Sequence, residues 1–297
     1  MVFSLARGIF SVSQKDVVGQ TVSKFRRGRF SGYSAGIAEL ITVAVGFYFN
    51  QASQATDSVD QYRIPIIALL WVAALLWVIA ALLFSRLLEM PGATEGGKNA
   101  IASAIASFAL IKTDSQLRLF VITRGLLIST ALLVPFIVAV ISAQSHAGAR
   151  ELEILIVASR FAGSLSSPIW GRLSDGSSCL ILIVAGRIAG ACGVLFSVLN
   201  VMDVSIHFYT YTVLFMVFVP AHAGVRIGCQ TYLVDMAIKE NRAAYVALSN
   251  IIIGAVLLMI GAISAITATY DTLFAILLLS VLALTGAISA FGLNEIH

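Results

Sequence analysis

Apolar runs that each approach the ~20 residues a helix needs to cross a hydrocarbon core punctuate this chain from one end to the other. They cover Tyr33 to Phe49, Ile64 to Phe84, Leu119 to Ala143, Leu152 to Trp170, Cys179 to Met202, Phe208 to Met236, Ala244 to Thr269 and Thr272 to Leu293. Hydrocarbon offers no water to a bare N–H or C=O, so a spanning run is helical or belongs to a closed barrel, and runs this long and apolar predict helices. Composition points the same way. Hydrophobic residues make up 59% of the 297, charged residues only 11%, and the mean hydropathy is +0.95. A soluble domain has no core large enough for that share. The expected fold class is an all-α polytopic membrane protein with about eight transmembrane helices.

The bilayer is then the main partner, and the net charge of +4 signals topology rather than nucleic-acid binding. Basic residues gather in "KFRRGRF" at 24–30, then at Arg86, Lys98, Lys112 and Arg118, then Arg172, then Lys239 and Arg242. The intervening connections carry Asp57, Asp60, Glu151, Glu153, Asp203 and Asp271. The positive-inside rule places the basic set in the cytoplasm, giving a multi-pass plasma (inner) membrane protein with both termini cytoplasmic. The N-terminus has no signal-peptide layout, because Arg7 interrupts its apolar stretch. Cys179, Cys192 and Cys229 show neither CxxC nor Cys/His spacing, so no disulfide framework, metal site or cofactor is expected.

The longest connection, residues 86–118, divides the chain into three parts: residues 1–85 with two spans and a helix stub, the linker itself, and residues 119–297 with six spans. Ile101, Ile105, Phe108 and Ile111 lie on one helical face of the linker, which predicts an interfacial helix; an Ala/Ser-rich tether is the alternative. A faint internal match links the outer parts. Arg7 precedes Asp16 by nine residues, Arg226 precedes Asp235 by nine, and each Asp is followed by a basic loop leading into another span.

"GRLSD" at 171–175, between two spans, resembles the first half of the motif GxLxDrxGRr of the major facilitator superfamily of secondary transporters. "ARGIFSVSQKDVVGQTVSKFRRGRFSG" at 6–32 is similar to the end of that family's fourth helix, the following loop and the start of the fifth. The resemblance implies a complete C-terminal six-helix bundle, the remnant of an N-terminal bundle, and a central cytoplasmic loop at the linker. It also implies that the first three and a half helices of the family lie outside this sequence, so that a wrong start, a truncation or a separate partner bundle is expected. Gly171, Arg172 and Asp175 would form a cytoplasmic gate: Gly171 lets the tight turn pack closely between helix ends, Arg172 pairs with an acidic group on a neighbouring helix, and Asp175 sits at a helix N-terminus. The family's basic half is replaced by "GSSCL", which weakens the latch.

Charge inside a membrane is costly and marks ion or solute pathways by default. Arg226, in the span carrying Pro220, is the first candidate, with Arg7 in the corresponding place of the internal match. His222 lies one turn before Arg226 and is weighed against a packing role. Glu39 is the candidate proton carrier, or else the partner of a neighbouring arginine. Arg160 is assigned either to the cavity or to a buried pair, Arg187 to packing between Gly186 and Gly190, and Arg124 to snorkelling at the cytoplasmic side. Three deep arginines against one carboxylate favour an anionic solute.

No HExxH, GxSxG, P-loop or paired carboxylates appear, so enzymatic activity is not expected. The expected function is secondary transport of a small solute by alternating access, with the proton as candidate coupling ion. The alternative is a truncated or degenerate bundle acting as a non-transporting structural or regulatory subunit.

Overall fold

The computed structural model describes residues 2–54, 59–86, 110–144, 149–202, 208–237 and 242–296. Every regular element among them is helical. The α-helices are α1 (Val2–Thr21), α2 (Arg27–Gln54), α3 (Val59–Phe84), α4 (Ser115–Leu127), α5 (Ser129–Gln144), α6 (Ala149–Ser174), α7 (Ser178–Val201), α8 (Phe208–Met236), α9 (Arg242–Tyr270) and α10 (Thr272–Ser289). Seven segments of the described residues are long and apolar enough to cross a membrane, α4 and α5 together forming one of them.

The Leu152–Trp170 run lies in α6, and Arg160 and four serines make this run less apolar than the rest. The 26 residues of α6 extend about 39 Å, more than a core of about 30 Å requires. The serine hydroxyls do not burden it: Ser159, Ser164, Ser166 and Ser167 each donate to a carbonyl three or four residues back. Asp114, Ser177 and Asp271 begin α4, α7 and α10 by accepting backbone N–H groups of the first turn.

One boundary differs from the sequence reading. The expected single helix over Leu119–Ala143 breaks at Ile128 into α4 and α5, where Ala131 N–H bonds the Ile128 carbonyl in a tightened turn. Pro135 lies four residues beyond Ala131 and cannot supply the N–H that an unbroken helix would return to it.

Helix packing places the site. The two most N-terminal helices pack chiefly against the 119–297 block, α2 on α6 and α8, α1 on α8 and α9. On α2, Gly28, Gly32 and Gly36 form one stripe at four-residue spacing; on α6, Ser164, Ser167 and Gly171 face them. A Cβ at Gly32 would fall 2.5 Å from the Ser167 carbonyl oxygen and 2.9 Å from the Gly171 Cα. Backbone therefore meets backbone, the close approach that small residues allow where lipid removes the hydrophobic drive to associate. Gly171 itself lies in the last turns of α6, ahead of the α6–α7 turn, and the close packing expected of it is made with α2: a Cβ there would run into the Gly28 carbonyl oxygen. A second small-residue seam joins α7 to α10, where a Cβ at Gly186 or Gly190 would press on Ala287 or Leu284.

From Ile66 to Leu83 every residue of α3 is exposed, and the helix touches α1 through Trp77 and Phe10, their rings 5.2 Å apart. A helix apolar all round belongs in lipid or against other helices. In the linker, Ile101, Ile105 and Phe108 lie outside the described residues, while Ile111 packs against the core around Leu117 and Phe120.

The α2–α6 seam generates a stability prediction. Gly32→Val should cost about 1–3 kcal/mol by forcing the helices apart. Gly254→Ala, where a Cβ meets nothing within 4 Å, should cost nothing or stabilise. Thermal unfolding of the two variants in detergent measures both, and equal Tm values would contradict the seam.

Candidate functional site: a charged cavity and a latched helix end

A cavity of about 440 Å³ lies where α1 and α2 meet α6 and α8. Its walls follow helical periodicity, with Ser31, Ala35 and Glu39 recurring on α2 and Arg226, Gln230 and Val234 on α8. Glu39 is only 6% exposed, and its two oxygens are divided between two arginines. Oε1 lies 3.1 Å from Arg226 Nη2 and Oε2 lies 3.4 Å from Arg160 Nη1. The two arginine side chains are over 40% exposed and line the cavity, with donors to spare. Gly163 makes room for this triad: a Cβ there would stand 3.4 Å from Glu39 Oε2.

The sequence candidates therefore separate. Arg226, Arg160 and Glu39 come together in one cluster. His222 turns instead to α5, its Nδ1 lying 2.9 Å from Thr130 Oγ1. That hydroxyl already donates to the Leu127 carbonyl at 2.8 Å, so the imidazole Nδ1–H is the donor. His222 thus holds α8 to α5. Arg7 lies in α1, with its side chain outside the described residues.

Arg187, exposed on α7, covers the Phe291 ring with its Cζ 4.7 Å from the centroid. Arg124 corrects its snorkelling expectation. It turns into the bundle and donates to Ser249 Oγ at 2.6 Å and Asn250 Oδ1 at 3.1 Å on α9. Those polar groups offer hydrogen bonds nearer than the headgroups.

A row of inter-helix contacts closes one end of the bundle. Asp175, in the α6–α7 turn, accepts from the backbone N–H of Gly28 at 2.7 Å and of Arg29 at 3.3 Å, which caps α2. Arg29 Nε adds an ion pair at 3.1 Å. Burial raises the Asp175 carboxyl above its ordinary value against these donors and the Arg29 charge. Arg172 has no carboxylate partner among the described residues. It donates instead to Tyr33 Oη at 2.7 Å, with its guanidinium over that ring, because Tyr33 is what α2 presents at that register.

The internal match acquires a geometric meaning here. Asp235, at the end of α8, lies 2.7 Å from Arg27 Nη1 at the start of α2. Asp16, near the end of α1, lies 3.8 Å from Arg242 Nη1 at the start of α9. Each acidic helix end takes an arginine from the basic loop of the other half. Gly19 admits the second pair, since a Cβ there would fall 2.5 Å from the Arg242 Cζ.

Sequence reasoning did not single out Lys15, Arg27, Tyr33 or the Gly28/Gly32/Gly36 stripe. The GxxxGxxxG spacing was the available signal for the stripe; nothing in the basic run distinguishes Arg27 from its neighbours.

The latch predicts separable effects. Asp175→Ala should cost about 0.5–2 kcal/mol, the usual worth of an N-cap. A double-mutant cycle on Arg27→Gln and Asp235→Asn should return a coupling of about 0.5–3 kcal/mol, measured by unfolding. A coupling near zero would show that the pair does not join the halves. Neither a protein-family model nor a curated protein matches the chain, so these contacts carry the functional reading.

Proposed function

We propose that this chain is a secondary transporter of the major facilitator type, moving a small organic anion by alternating access with Glu39 as the proton carrier. The observation that carries this reading is the triad of Glu39, Arg160 and Arg226 in a cavity between the two parts of the chain. Alternating access requires a binding site between two parts that rock against each other, and a latch that opens when they do. The reciprocal pairs Asp235–Arg27 and Asp16–Arg242, together with Asp175 on the α2 N-terminus, have the placement of such a latch. The basic loops assign that end to the cytoplasm by the positive-inside rule, which makes this arrangement closed to the cytoplasm.

Glu39 suits proton carriage because its ionised form is held by two guanidinium groups that an incoming anion also attracts. Protonation frees both cations for cargo. A second reading, a non-transporting bundle that packs on a partner, draws on the exposure of α3 from Ile66 to Leu83.

Uptake into proteoliposomes under an imposed proton gradient tests the choice. Arg226→Gln should lower uptake of an organic anion by roughly 10- to 100-fold, the worth of a charge-assisted hydrogen bond, and leave neutral-solute flux at background. Glu39→Gln should abolish gradient-driven accumulation while retaining exchange. Equal loss across all solutes would indicate a folding defect and contradict the reading, and wild-type protein without any uptake would favour the subunit reading.

A further inference from the structure

Lys15 is the cavity-lining charge for which the transport reading has no task. It is half-buried on α1, and among the described residues its ammonium makes no hydrogen bond or ion pair. The adjacent Asp16 is engaged by Arg242 at 3.8 Å and by the Gln20 amide at 2.8 Å. The charged neighbour that acts on Lys15 most is Arg124, another cation. With a cation as its strongest charged neighbour and no carboxylate within 4 Å among the described residues, Lys15 lacks the partner that a buried ammonium normally requires.

Its position gives the cavity two cationic poles. Lys15 is six residues from the end of α1, about 9 Å along the axis, while Arg226 is ten residues from the same end of α8, about 15 Å. The two poles therefore stand on different helices and at different distances from the ends of those helices. Three cations and one carboxylate line the cavity, which leaves two formal positive charges for a ligand to neutralise. Gln14 and Gln230 add amide donors to the lining.

We infer that the cavity takes a short dicarboxylate as a dianion, with one carboxylate on Lys15 and the other on the Arg160–Arg226 pair. This rests on the anion reading proposed above and narrows it. A monoanion engages one pole and leaves the other cation desolvated and unneutralised, so the site discriminates by charge count.

Binding of malonate, succinate, glutarate and adipate, each compared with a monocarboxylate of similar length, should be measured by calorimetry on the full chain in lipid nanodiscs at neutral pH. At least one dicarboxylate should bind tighter than its monocarboxylate by roughly tenfold or more, and its neutral diamide should not bind. Lys15→Gln should bring that dicarboxylate to the monocarboxylate level; Lys15→Arg should retain the preference, which separates lost charge from lost fold. Dicarboxylates that bind no tighter than monocarboxylates, or a Lys15→Gln variant that weakens both alike, would overturn the dianion inference while leaving the anion reading intact. A diamide that binds as well as the acids, or the failure of every acid to bind, would overturn the anion reading itself.

Discussion

A carboxylate inside a hydrocarbon slab has to be neutralised by a proton or held by cations, and Glu39 meets that requirement from two directions at once. Arg160 on α6 and Arg226 on α8 each take one of its oxygens. The arrangement requires α2, α6 and α8 to come close enough for side chains to reach, and the chain achieves this by stripping the α2–α6 seam to glycine and serine. Packing and charge are therefore one design. A bulkier seam would separate the helices, and the triad would lose the geometry that makes burying the Glu39 carboxylate tolerable. The same constraint makes the site responsive, because anything that neutralises Glu39 or competes for its arginines alters the balance of charge at the junction of the two parts.

The fold class was legible because apolar length is a linear property: each span is a run that hydrocarbon thickness demands, and seven of the eight runs meet the criterion by length and apolarity alone. The break at Ile128 was not, since Pro135 announces a disturbed helix without specifying where the chain will turn. The site was half legible. Arg226, Arg160 and Glu39 stood out as charges where charge is expensive, but their convergence depends on the rotation of three helices. His222 and Arg124 show the limit from the other side: the sequence left His222 between a cavity role and packing and assigned Arg124 to snorkelling, and both bond hydroxyl or amide partners on neighbouring helices. Lys15 escaped notice because it sits in a polar stretch where a lysine raises no question until the cavity is seen.

The nine-residue match between the two parts gave the least signal and became the most instructive feature. A repeat that places Asp at a helix end and arginine in the loop beyond can pair within each half or across them, and one sequence cannot choose. The fold pairs across. Crossed pairs tie together the elements that must separate if access is to alternate, and Asp175 adds a cap on the N-terminus of α2 at the same end.

The central claim is that this end opens. Spin labels at Arg26→Cys and Gly176→Cys, exposed residues on opposite sides of the latch, with the three native cysteines replaced by alanine, would report it through distance distributions in lipid nanodiscs. Two populations are predicted, with the longer one growing when Asp235→Asn removes the pair with Arg27. A single distance, unchanged by that substitution, would mean a static bundle and contradict transport by alternating access.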